Sequence, residues 1–108
     1  MVAVSSLARL QMYKSYYSDL TSKIQLASAA KIRLAESVGD LMNIGTDLEK
    51  DSPELKVLEQ RQQRLELVEK KLEERVTRYQ AQLQMVEAEI QNCQQMLQKG
   101  IQMTFGGH

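Results

Sequence analysis

The sequence predicts an all-α fold, a long antiparallel helical hairpin with a coiled-coil-like seam, and three observations carry that reading. From Leu65, apolar residues recur as Val68, Leu72, Val76, Tyr79, Leu83, Val86, Ile90, Cys93 and Leu97, always three or four places apart. That is the spacing of one stripe along an α-helix. A second stripe of the same spacing runs Leu10, Tyr13, Tyr17, Leu20, Ile24, Ala27, Lys31, Leu34, Val38, Leu41, Gly45, Leu48. Between the two stripes stands a single turn signal, Lys50-Asp51-Ser52-Pro53-Glu54, in a chain with one Pro and five Gly.

The first helix is expected over about residues 6–49. Ser5 or Ser6 offers a side-chain oxygen as its N-cap, which leaves residues 1–5 loosely held. Lys31 interrupts the stripe, but its aliphatic stem covers apolar surface while the ammonium reaches water. The helix is greasier than one stripe requires, because Tyr16, Leu26, Ala29, Ala30, Ile32, Ala35, Met42 and Ile44 lie off the seam. A helix apolar on more than one side takes more than one neighbour, so the hairpin is expected to pack into a higher oligomer or filament. Gly39 and Gly45 each cost about 0.5–1 kcal/mol relative to Ala inside a helix, and they mark a bend, a close approach or a weakening end.

The turn is expected at 50–53. Pro53 suits the first helical position, where its missing N–H is not needed, and Ser52 or Asp51 caps the helix that follows. So short a connection makes the two helices antiparallel neighbours. The second helix is expected over about 53–99, roughly 65–70 Å at about 1.5 Å per residue, with Gly100 as its C-terminal cap. Leu65, Val68, Leu72 and Val76 include two steps of four in succession, which reads as a local stutter that passes over Gln62 and Glu69. Glu66 with Lys70 and Glu74 with Arg78 have the order that favours ion pairs along a helix. The short apolar tail, residues 100–108, alternates apolar and polar residues with a strand-like period.

These stripes assign the intrachain seam to Leu20, Ile24, Leu34, Val38, Leu41, Leu65, Leu72, Val76, Tyr79, Leu83, Val86, Ile90 and Leu97. The candidates for self-association or partner binding are Tyr13, Tyr16, Tyr17, Leu26, Ala30, Ile32, Met42, Ile101, Met103 and Phe105. In the hairpin the tyrosines are expected beside the C-terminal tail, and the tail is expected to dock on a neighbouring copy.

Composition argues against most chemistry. Lys plus Arg and Asp plus Glu both number 14, so the formal net charge is zero. A nucleic-acid binder needs surplus positive charge to displace counterions from phosphate, and a near-neutral chain offers little repulsion between copies. One His and one Cys provide no metal-ligand cluster, and no phosphate loop or nucleophile motif is present. The chain is therefore expected to be no enzyme, to hold no cofactor or metal, and to bind neither nucleic acid nor a membrane as a span. Cys93, at a seam position, reads as a small core residue, with pairing between chains as the sharper alternative. The first residues lack a signal-peptide pattern, so synthesis is expected in the cytoplasm, with a signal-independent secretion system as the route of any export.

Two functions of different class follow. The first is a non-catalytic structural subunit whose partners are copies of itself, building a filament, needle-like or tubular assembly by lateral packing of hairpins. The alternative is a small export chaperone or adaptor that holds the amphipathic helix of another protein. In length and topology the chain resembles the helical hairpins of bacterial secretion needles and filaments, and the secreted WXG100 hairpins. It departs from the latter in having no Trp: its turn is Asp51-Ser52-Pro53-Glu54. The resemblance is architectural, and no functional residue is carried over from it.

Overall fold

The computed structural model describes Val2–Phe105, with side chains described from Ser5 to Gln102. Two α-helices make up the fold, α1 (Val2–Gly45) and α2 (Pro53–Phe105), and they pack against each other as an all-α hairpin. The described residues group into two units. One combines the part of α1 up to Lys23 with the part of α2 from Tyr79; the other is Ile24–Arg78.

Within Ile24–Arg78 the register is fixed near the turn. A Cβ built on Gly45 would lie 3.0 Å from Leu58 Cδ2 and 3.7 Å from Leu55 Cδ1, so the bare α-carbon lets α2 come close. Leu41 and Gln62 share a shallow cleft with these residues. Stepping outward in opposite directions puts Val38 opposite Leu65, Leu34 opposite Glu69, Lys31 opposite Leu72 and Ala27 opposite Val76. The ion pair between Lys31 Nζ and Glu73 Oε1, 3.0 Å long, falls where that register places it. Both partners are partly exposed, so the pair contributes at most about 1 kcal/mol.

The register removes the stutter expected at Val68. Val68 is 45% exposed, whereas Gln62 and Glu69 are only partly exposed. The seam of α2 therefore steps three and four without a break: Leu55, Leu58, Gln62, Leu65, Glu69, Leu72, Val76. Apolarity favoured Val68, but packing is set by angle around the helix, and position 69 keeps the heptad in phase with α1.

In the other unit, Leu10 and Leu20 of α1 and Cys93 of α2 are buried, and Tyr79, Leu83, Val86, Ile90 and Leu97 are half-buried along the same stripe. Ser6 is buried too, at a seam position four residues before Leu10, so it lies inside α1 and is not its cap. Gly100 likewise does not end α2. It has no positive φ, it occupies the next seam position after Leu97, and the helix continues to Phe105. The strand-like reading of the tail is corrected: Ile101 to Phe105 are helical, and Gly106, Gly107 and His108 lie outside the described residues.

The connection spans 46–52 and is wider than the four residues expected. Past Gly45 the chain tightens, with N–H groups of Asp47 and Leu48 donating to the carbonyls of Ile44 and Gly45, three residues back. The Ser52 N–H donates to the Glu49 carbonyl, closing a turn in which Asp51 has φ 63°. A side chain in this left-handed region is crowded by its own backbone. Ser52 then caps α2 as expected: its Oγ accepts from Leu55 N–H at 3.1 Å, and Pro53 takes the first helical position.

Two predictions follow from these packing choices. Glu69→Leu should stabilise the chain by about 1 kcal/mol by adding apolar seam area, while Val68→Ala should change stability by less than about 0.5 kcal/mol. Urea unfolding monitored by circular dichroism separates this from a stutter, which requires Val68→Ala to be the costly change. Asp51→Gly should stabilise by about 0.5 kcal/mol, because relief of the left-handed backbone exceeds the lost acid near the start of α2, and Asp51→Val should destabilise by about 1 kcal/mol or more. Equal midpoints for all three chains would contradict the turn geometry.

Candidate interaction surface

The residues assigned to the seam are all buried or half-buried. Leu20 and Val38 are buried, and Ile24, Leu34, Leu41, Leu65, Leu72, Val76, Tyr79, Leu83, Val86, Ile90 and Leu97 are half-buried. Leu10, Ala27 and Cys93 complete the buried apolar set. No large side chain is fully buried among the described residues, which is what a seam one stripe wide provides.

The interface candidates divide differently. Leu26 is 71% exposed, Ile32 61% and Met42 55%; Tyr16, Tyr17 and Ile101 are also exposed, whereas Tyr13 and Ala30 are half-buried. The side chains of Met103 and Phe105 lie outside the described residues. On α2, Val57, Leu67 and Met85 are large exposed apolar residues that the stripe reading left unassigned. Each stands directly beside a residue of the stripe reading or the seam, Leu58, Val68 or Val86, and off the three-four spacing itself, so the spacing gave no signal for them.

The tyrosines do not lie beside the tail. Tyr16 lines a cleft of about 340 Å³ with Asp19, Leu20, Lys23, Gln82, Met85 and Val86. Tyr17 lines a second cleft with Lys14, Glu87, Ile90, Gln91 and Gln94. Antiparallel pairing sets residues 13–17 against the middle of this α2 segment rather than its end. Tyr13 and Tyr16 meet edge to face, with ring centroids 6.2 Å apart and planes at 74°.

The first cleft is mostly apolar with one ion pair at its edge. Lys23 Nζ is 2.9 Å from Asp19 Oδ2, one turn away. The hydrogen bond to Asp19 and its negative charge hold the Lys23 ammonium above its usual range, with a smaller contribution from Tyr79. The ammonium lies 6.0 Å from the Tyr79 ring centroid, at the outer limit of a cation–π contact. The i,i+4 pairs expected on α2 are not formed; Glu66 instead accepts from Gln62 Nε2 at 3.3 Å. Exposed pairs of that kind gain only about 0.3–0.5 kcal/mol, which side-chain freedom offsets.

Among the described residues no group of three His, Cys, Asp or Glu converges as metal ligands would, and no helix is long and apolar enough to cross a membrane. What the arrangement offers is surface. On Ile24–Arg78, the α1 flank that carries Ile32 and Met42 is unpartnered. On the other unit, the Tyr16–Met85 cleft is open.

The difference between seam and surface is measurable. Leu20→Ala should cost about 2–3 kcal/mol, as for a buried leucine, while Leu26→Ala should cost less than about 0.5 kcal/mol in dilute chain. Denaturant midpoints at low protein concentration give both values, and a comparable loss at Leu26 would show that it is already packed within one chain. Comparison with protein-family models, curated proteins and solved structures returns no match for this chain.

Proposed function

We propose that this chain is a non-catalytic, self-assembling structural subunit, a helical hairpin that reaches its working form by packing against copies of itself. The observation that carries the reading is the amount of large apolar surface on α1 that its own partner helix leaves uncovered: Tyr16, Leu26, Ile32, Met42 and Ile44 are all half exposed or more. The accessible surface is 8449 Å². A folded monomer of 12.3 kDa is expected to expose about 6,100 Å², so the surplus is roughly 2,300 Å². Part of that surplus is the large apolar side chains that α1 leaves outside the seam, and clustered exposed apolar residues mark interaction sites in soluble proteins.

Two features favour copies of the same chain as the partner. The formal net charge is zero, so like chains meet without long-range repulsion. Within Ile24–Arg78 the uncovered residues also fall on both sides of the α1 seam, Leu26 and Ile44 on one and Ile32 and Met42 on the other, which supports contact with more than one neighbour. A contact of this kind that does not close on itself gives a filament, and one that closes gives a ring or bundle. The second reading, a chaperone or adaptor for another protein's amphipathic helix, draws on the open apolar cleft between Tyr16 and Met85.

Sedimentation and negative-stain microscopy of the purified chain separate the two. A structural subunit gives concentration-dependent particles well above 12.3 kDa, ordered as filaments, tubes or rings. An adaptor stays small at every concentration until its partner is added, and that result would overturn the proposal.

A further inference from the structure

We infer that a second copy of this chain docks antiparallel on the α1 flank between Gln25 and Thr46, about a twofold axis that passes Ala35. The inference rests on the self-assembly reading and specifies its first contact. The flank carries Ser28, Ile32, Ala35, Gly39 and Met42 at steps of four and three, with Gln25 and Thr46 continuing it at either end. None of these seven residues ionises, although Arg33, Glu36 and Asp40 lie on other faces of the same turns. Burying the flank therefore strands no charge away from water.

The order of sizes is self-complementary. Ile32 and Met42 are large and exposed, while a Cβ placed on Gly39 would meet nothing within 4 Å. Reversing the helix about Ala35 brings Ile32 of one copy opposite Gly39 of the other, Met42 opposite Ser28, Gln25 opposite Thr46, and Ala35 against Ala35. Each large residue meets a small one, and the symmetry makes every such contact twice. The same arrangement shifted by one turn sets Ile32 towards Ala35 and leaves the space over Gly39 unfilled, so this alignment is the one that packs.

The length of the flank suits a contact between two helices. The flank covers about 33 Å of helix at about 1.5 Å per residue. Glu59, which lines a cleft with Met42 and Thr46, extends the flank as a polar rim. A stable interface takes about 800 Å² from each partner, so the flank and this rim along α2 enter the contact together.

Disulfide trapping tests the axis. In a Cys93→Ala background, Ala35→Cys should form a covalent dimer under mild oxidation, and Glu36→Cys, one residue round the helix, should not. On the otherwise unaltered chain, Gly39→Leu and Ile32→Ser should each weaken association at least tenfold by sedimentation while the helical circular dichroism is kept. Two variants of opposite size guard against a folding defect in either. If the chain self-associates but position 35 does not cross-link, this surface is wrong and self-assembly stands. If the chain remains a monomer throughout, both proposals fall.

Discussion

One seam, a single heptad stripe shared between α1 and α2, governs everything else in this molecule. Helices this long gain little from propensity alone and depend on burying an apolar face. Here that face is narrow, so the contacts must stay in phase. The chain keeps phase even where chemistry argues against it. Glu69 holds a position that an apolar residue would fill better, and Lys31 lies on the stripe with its charge led out to Glu73. Polar residues in a seam weaken it but penalise misaligned pairings more, which is one way to specify register. Gly45, pressed against Leu58, anchors that register at the turn.

A narrow seam has a consequence for surface. Two helices joined by one stripe cannot hide apolar residues lying a third of the way round α1, and α1 has many. The charge distribution follows the same division. From Lys56 to Arg78, α2 is densely charged on its outer faces, while the α1 flank from Gln25 to Thr46 carries no ionisable residue. The outer faces of this α2 segment suit water, whereas the α1 flank carries apolar and small residues without charge. Within Ile24–Arg78 this asymmetry is why the proposed contact is placed on α1 and not on α2.

Most of the fold was legible in the residues because its determinants are local. The step of three and four gave both stripes, and Ser52 with Pro53 gave the start of α2, where the cap hydrogen bond to Leu55 forms as the residue types require. Three of the corrected readings show what sequence does not display. Gly100 looks like a stop, but at a seam position a missing side chain is a packing choice, and the backbone stays helical. Val68 looks like the better seam residue than Glu69, but angle around the axis decides, not hydrophobicity. The tyrosines look as though they belong to the free ends, but antiparallel register sets them against residues 82–94 of α2. On the interaction surface, exposure of Leu26, Ile32 and Met42 was readable from their place off the stripe. The open space over Gly39 was not, because it depends on what the neighbouring helix fails to reach.

In the proposed assembly another copy of the chain covers the exposed apolar residues of α1. Any partner that binds only the folded form raises apparent stability by mass action, and a second copy does so in proportion to protein concentration. The midpoint of thermal unfolding, measured by circular dichroism over a hundredfold range of concentration, is therefore the most direct test. Self-association predicts a rise of about 5 °C or more across that range. A midpoint independent of concentration, with unfolding reversible throughout, would contradict it.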